Sequence, residues 1–527
     1  MSTAQATTAP HTEVPTVENR GWITISVMLT TIMQALDTTI ANVALPHMQG
    51  SMGVTQDQIS WVLTSYIVAA AIFMPLTGFL SARMGRKRLF MLSVVGFTIT
   101  SMLCGAAQSL PQIVIFRLLQ GVFGASLVPL SQSVLLDSYP REKHGAAMAI
   151  WGVGVMVGPI LGPSLGGWLT EYYSWRWVFY INLPLGILAW LGLATFVSET
   201  PLDARRRFDL LGFALLSVAI GALQMMLDRG ESLDWFSSQE VVIEALLSAS
   251  CLYLFVVHIF THEHPFLEPA LFKDRNFSVG LAMIFIVGVI LLATMALLPP
   301  FLQSLMGYPV MDVGLVLAPR GVGTMVAMVV VGKLSGKIDP RWLIAAGLML
   351  TSFSMWQMTH FNLMIQGWDI VRTGLVQGVG LGFIFVPLST LAFATLLPRY
   401  RNEGTALFSL LRNIGSSIGI SIVITYLSQR VQINHAIFAQ YIQPDNLALR
   451  LAAEQGLLNL GSPLSLANLN AEVNRQAATL AYLQDFRLMM FVTLAALPLL
   501  VFLRPPRKQT AKQSAGASDA AATAALE

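Results

Sequence analysis

Gln120-Gly121 followed by Val128-Pro129-Leu130-Ser131 is written twice in this chain, because Gln377-Gly378 and Val386-Pro387-Leu388-Ser389 repeat it about 255 to 259 positions later. In both copies a basic loop comes next, and then a glycine that opens a new apolar run, Gly145 in the first and Gly404 in the second. Upstream, Asp57 through Gly78-Phe79-Leu80-Ser81 is matched more weakly by Asp312 through Gly332-Lys333-Leu334-Ser335. Self-similarity at this spacing means two halves built on one plan.

The segments that repeat are apolar. Of 527 residues, 55% are hydrophobic and 11% charged, against roughly 25% charged in a soluble domain. Stretches long enough to cross ~30 Å of hydrocarbon recur along the chain. They lie at about 22–45, 58–81, 89–107, 110–135, 145–170, 176–197, 209–227, 240–260, 277–302, 312–333, 341–359, 368–397, 404–428 and 486–503. The first is followed by no small-residue cleavage pattern, so it reads as a retained helix. Basic residues fall in every second loop: Arg83, Arg86, Lys87 and Arg88; Arg141 and Lys143; Arg205, Arg206 and Arg207; Lys273 and Arg275; Lys337 and Arg341; Arg399 and Arg401; Arg507 and Lys508. By the positive-inside rule both termini are expected in the cytoplasm, and the alternation agrees with fourteen crossings.

The expected fold is therefore an all-α membrane protein with 14 transmembrane helices: two parallel six-helix bundles plus two inserted helices. Its parts are a cytoplasmic N-terminal tail (1–21), an N-terminal bundle (22–199), a linker with helices seven and eight (200–264), a C-terminal bundle (265–505) that includes an outer loop (428–485), and a disordered cytoplasmic tail (506–527). Runs within that loop, 447–458 and 466–483, have helical character. Parallel halves of this kind are the major-facilitator architecture, with the substrate near mid-membrane between them. Cys104 and Cys251 both lie in apolar segments and read as packing residues.

A carboxylate at the bilayer centre costs about 2.5–3.5 kcal/mol on insertion scales, so it needs a partner or a proton. Asp37 reads as the sole acid well inside a span, and Arg117 enters from the same side to a similar depth. The pair is either a static tie between helices one and four or a proton switch. Arg320, Arg372 and Arg412 are also embedded, with no acid at an obvious matching depth. Gln34, Asn42 and Arg320 are candidates to face a substrate cavity, although Arg320 fits backbone or water contacts better. In helix five, Gly154, Gly158, Gly162 and Gly166 recur every fourth residue, with Gly167 beside them. They form a smooth stripe that another helix can approach. Pro159 and Pro163 remove backbone donors there and permit bending.

Leu36 through Pro46, Arg117-Leu118-Leu119-Gln120-Gly121, the helix five stripe and Trp175 through Pro184 together resemble the fourteen-helix drug:proton antiporters of the EmrB/QacA type. Leu227-Asp228-Arg229-Gly230 and Leu233 through Glu240 bring the resemblance closest to the EmrB branch, and it covers about residues 20–505. It implies proton-coupled export of lipophilic or amphipathic compounds across a bacterial inner membrane by alternating access. It also implies a periplasmic adaptor and an outer-membrane channel as partners, coupling roles for Asp37 and Arg117, and an antiporter motif in the helix five stripe. The superfamily loop pattern is met by Gly78, Leu80, Gly85, Arg86 and Lys87, but Ala82 stands where it has an acid, which puts the cytoplasmic latch of that acid in doubt.

No nucleotide-binding Gly-x-x-x-x-Gly-Lys-Ser/Thr pattern is present. No metal cluster or nucleophile-base arrangement is evident, so no enzyme, no cofactor other than the proton gradient, and no nucleic-acid partner is expected. A narrow-substrate exporter of one metabolite on the same fold remains the alternative.

Overall fold

A computed structural model of the chain describes residues 19–203, 208–443, 445–455 and 462–504. The basic triplet Arg205 to Arg207, Arg507 and Lys508, and nearly all of both expected tails lie outside the described residues.

The described residues are helical throughout, apart from short turns and one isolated bridge. Numbering the long helices in chain order, the first half holds α1 (Arg20–Met52), α2 (Gln56–Phe73, continued by Leu76–Met84), α3 (Arg86–Ala106), α4 (Leu110–Gly124, continued by Leu127–Ser138), α5 (His144–Tyr172) and α6 (Asn182–Phe196, led in by Trp177–Tyr180). Between the halves run α7 (Leu210–Arg229) and α8 (Gln239–Thr261). The second half holds α9 (Arg275–Pro300), α10 (Val310–Leu334), α11 (Pro340–Met358), α12 (Gly367–Ala394), α13 (Arg401–Ala439) and α14 (Pro463–Ala495).

Local chemistry sets several ends. Thr55 and Gln58 form a reciprocal capping box at the start of α2. Asp274 and Asp339 accept backbone amides at the starts of α9 and α11. Gly53, at φ 63°, closes α1 in a left-handed conformation that favours glycine. Pro75 leaves no amide to continue α2, which bends by 58° there.

Twelve helices among the described residues are long and apolar enough to cross a membrane, and the bent α2 pair makes up to thirteen. α11 stands where the expected eleventh crossing lies; it is 19 residues long and carries Arg341, Thr351, Ser352, Ser354 and Gln357, so it falls below that apolarity. It packs instead between α12 and α14.

The repeat is visible in the packing. α1 against α5, α2 against α4, α3 against α4 and α3 against α6 are matched by α9 against α13, α10 against α12, α11 against α12 and α11 against α14. The halves meet along α5 with α10, and where α13 touches α2 and α4. α7 leans on α2 and α13, while α8 is held chiefly by α7 and presents Ile243, Leu246, Tyr253 and Phe260 outward, as a lipid-facing helix does.

One expectation needs correcting. Residues 428–485 are not a long loop: α13 continues to Ala439 and α14 begins at Pro463. At 39 residues, α13 is roughly 58 Å long, about twice the hydrocarbon thickness. Beyond the apolar layer the two helices run as a pair, joined by Asn434 to the Ala477 carbonyl at 3.2 Å and by His435 to Asn470 at 3.0 Å. The connection is confined to 440–462, where Leu447–Glu454 is a short helix.

Candidate functional site: a buried carboxylate and the helices that frame it

Asp37 sits midway along α1 and is 2% exposed; Arg117 on α4 is 1% exposed. Arg117 Nη1 donates to Asp37 Oδ2 at 2.7 Å. Gln120 Nε2 and Asn182 Nδ2 each donate to Asp37 Oδ1 at 2.8 Å. Three donors on two carboxylate oxygens are what an ionised acid requires in a low-dielectric interior. The arginine is equally provided for. Its Nε donates to the Val62 carbonyl at 3.1 Å, its Nη1 also reaches Gln120 Oε1 at 2.9 Å, and its guanidinium lies 4.3 Å from the Tyr66 ring centre. Asn182 in turn donates to Ser101, whose hydroxyl donates to the Phe179 carbonyl. Five helices, α1, α2, α3, α4 and α6, thus converge on one charge.

Sequence reading paired Asp37 with Arg117 and quoted Gln120 and Asn182 within motifs without a role at the pair; it did not pick out Tyr66 or Ser101. Gln120 follows Arg117 by three residues, so one helix face carries both; Asn182 gave no comparable signal, since nothing in the sequence sets its depth. Gln34 is half-buried and donates to the Tyr66 hydroxyl at 3.2 Å, next to the pair. Asn42 is exposed. Arg320 is buried and donates to the Leu291 carbonyl at 3.2 Å, the backbone contact weighed for it. Arg372 does have an acid at its level: it is exposed and pairs with Asp369 at 3.8 Å. Nor is Asp37 the sole acid inside the bundle, because Asp485 on α14 is fully buried. The expected helix began one residue too late to include it.

The glycine stripe of α5 lies against α1 on either side of Asp37. A Cβ at Gly158 would land on the Ala35 carbonyl, one at Gly162 on the Thr39 side chain, and one at Gly154 on Met28, while Gly166 has ordinary contact distance to Ile40. Thr39 donates to the Gly158 carbonyl at 3.0 Å, a side-chain tie between α1 and α5 beside the stripe. Pro159 and Pro163 stand inside the helix, and Gly167 is half-buried off the stripe.

At the end where the basic loops gather, Arg86 and Arg401 both pair with Asp137, and Ser133 bonds Asn402. This ties α3 and α4 of the first half to α13 of the second. Gly78 packs directly on Glu403, Gly85 turns at φ 91° against Glu199, and Lys87 donates to the Ala194 carbonyl at 2.6 Å. The missing loop acid therefore does not leave this end untied; at Ala82 the backbone carbonyl accepts from the Asp203 amide.

Asp209, His258 and His262 are the described side chains grouped closely enough to hold a metal ion, with ligand atoms within 4.8 Å of one another. Asp209 is already engaged by the Gly212 and Phe266 amides and by His258, and the cluster pins α7 to α8. Burial alone would raise the Asp209 carboxyl, but those donors hold it below its ordinary value.

The sequence matches the family described as the Major Facilitator Superfamily over residues 27–420. The chain belongs to that superfamily. It is 36% identical over 487 residues to the fatty acid resistance protein FarB of Neisseria gonorrhoeae, covering 92% of this chain and 96% of that protein. It is 35% identical over 491 residues to the multidrug export protein EmrB of Escherichia coli K12, covering 92% and 95%, so it falls in the EmrB-type branch. The crystal structure of the human organic anion transporter MFSD10 superposes with a TM-score of 0.57 at 15% identity, over 90% of this chain and 99% of that one, a likeness of fold. The chain is a multi-pass membrane transporter rather than an enzyme.

Proposed function

We propose that the protein is a proton-coupled exporter of lipophilic or amphipathic compounds, with fourteen crossings, both termini in the cytoplasm, and residence in a bacterial inner membrane. The observation that carries this reading is the Asp37 cluster: one carboxylate, buried at mid-depth, balanced by one guanidinium and set against a glycine-faced helix. In this mechanism a proton taken up by Asp37 cancels the charge that holds Arg117. α1 is then released to slide on α5, and the halves rock between two states. Loss of the proton to water restores the pair. The basic end is the cytoplasmic one, and the Arg86–Asp137–Arg401 tie closes that side in the conformation described here.

The names of the relatives support export of toxic small molecules. FarB, named for fatty acid resistance, favours a second reading in which the substrate is a narrow class of amphipathic acid. The extended α13–α14 pair is the natural seat for a periplasmic adaptor leading to an outer-membrane channel.

The test is ethidium efflux from energised cells, with and without a protonophore, for the native chain and Asp37→Asn. Efflux abolished by either treatment, with normal insertion of the variant, is the expected result. Efflux by the variant equal to native would refute the coupling role, and failure to move ethidium or other cationic dyes while exporting a fatty acid would favour the narrow class.

A further inference from the structure

Asp485 lies on α14 between Tyr482 and Phe486 with 0% exposure, and neither of its carboxylate oxygens has a hydrogen-bond partner. Its depth follows from the far end of its helix. Beyond that end Arg275 Nε donates to the Phe502 carbonyl at 2.8 Å and Asn276 Nδ2 to the Arg504 carbonyl at 3.0 Å, which sets the start of α9 beside the 3-10 turn Leu497–Phe502 that follows α14. Asp485 is 17 residues from Phe502 and Thr294 is 19 from Arg275, so both stand roughly 25–29 Å above that pin.

Thr294 is the repeat counterpart of Asp37. Gln377 donates to Thr294 at 3.3 Å as Gln120 donates to Asp37 at 2.8 Å, and Gly374 occupies the place of Arg117. The second half has therefore lost the acid-arginine pair at this level, yet carries an acid there on its last helix.

The surroundings of Asp485 hold no balancing charge. α9 and the π-helical turn that follows it carry no titratable side chain between Arg275 and Tyr308, and α11 carries Arg341 at its basic-end start. α13 carries Arg401, Glu403, Arg412, Tyr426, Arg430 and His435, and α14 itself adds Glu472 and Arg475, which pair with each other at 3.1 Å, Tyr482 and the exposed Arg487. Among the described residues none of these hydrogen-bonds to Asp485. Apolar neighbours fill the space instead: Phe301, Met355, Tyr482, Phe486 and Met489 form one cluster around this level. An isolated ionised carboxylate is strongly disfavoured in such a setting, and a neutral carboxyl far less so. An open cleft of about 490 Å³, lined by Phe361, Met364, Phe438, Arg475, Thr479 and Leu483, lies along the outer part of α14, and Asp485 does not line it.

We propose that Asp485 is a second proton-binding site, in the C-terminal half at the level of Asp37, which keeps its proton while sealed and releases it to water when its bundle opens. This extends the coupling reading above from one half to both.

Two measurements test it. Dicyclohexylcarbodiimide, which modifies protonated carboxyls in apolar surroundings, is applied to the native protein, Asp37→Asn and Asp485→Asn in detergent, and the adduct is mapped by mass spectrometry. The peptide carrying Asp485 should be labelled in the native protein and in Asp37→Asn. Protons released on binding tetraphenylphosphonium are then counted for all three. Asp485→Asn should release roughly half as many as native, as expected when one of two linked sites is removed. An unlabelled Asp485 overturns the proposal without requiring any variant to fold. So does a native proton count in Asp485→Asn, and if the count still falls in Asp37→Asn the coupling reading survives alone. If Asp485 is labelled and its variant lowers the count while Asp37→Asn does not, the second site stands and the role of Asp37 falls.

Discussion

Among the described residues Arg117 pairs with no charge other than that of Asp37, so substitutions at the two positions can separate a structural role from a coupling role. Arg117→Met buries the carboxylate against neutral amides alone and should lower stability by about 3–5 kcal/mol, read as a lower thermal midpoint in detergent. Adding Asp37→Asn removes the orphaned charge, so the double variant should regain most of that midpoint yet export no dye. Recovery of transport with stability would mean that the pair is only a tie. Both members were legible in the sequence because depth can be counted along a helix; the role of Asn182, whose partners Asp37 and Ser101 come from two other helices, was not. Asp209 permits a test with a sign. Its carboxyl is held below its ordinary value by the Gly212 and Phe266 amides and His258. Its contribution is therefore complete above the unfolded carboxylate value of about 3.9 and fades as pH falls through the lower folded value. Asp209→Ala should cost about 0.5–2 kcal/mol at neutral pH, and the difference from native in thermal midpoint should shrink only under strong acid.

Helices one and five make the next prediction. A Cβ at Gly158 meets the Ala35 backbone carbonyl, which cannot yield as a side chain would, whereas one at Gly166 meets Ile40 at 3.4 Å, an ordinary contact. Gly158→Ala should cost about 1–3 kcal/mol by overpacking and depress efflux, while Gly166→Ala should stay within about 0.5 kcal/mol of native; equal effects would deny the stripe its role as a contact surface. Element lengths were less legible than element places. Hydropathy reports where a helix touches lipid, so the expected spans stop at 428 and resume at 486, although α13 runs on to Ala439 and α14 begins at Pro463 as polar helix past the apolar layer. The same blindness hid Asp485. α11 shows the reverse case, where charge alternation between loops located a helix whose own apolarity is modest.

Taken as a whole, the molecule is two matched bundles tied at one end by Asp137 between Arg86 and Arg401. The duplication and its register could be read from the Val-Pro-Leu-Ser repeats alone. The tie could not, since Asp137 and Arg401 are 264 positions apart and the loop pattern drew attention to Ala82 instead. Asp137→Asn leaves two guanidiniums facing each other. It should open this end, so that a cysteine placed at Ser133 reacts severalfold faster with an impermeant maleimide added from the basic side; an unchanged rate would mean that apolar packing, not charge, closes it. The central claim, that proton movement through Asp37 drives export, is tested most directly in proteoliposomes carrying a lumenal pH dye. With an inward-facing supply of tetraphenylphosphonium, the native chain should change lumenal pH as substrate moves, and Asp37→Asn should not. A pH change in Asp37→Asn equal to that of the native chain would contradict the account.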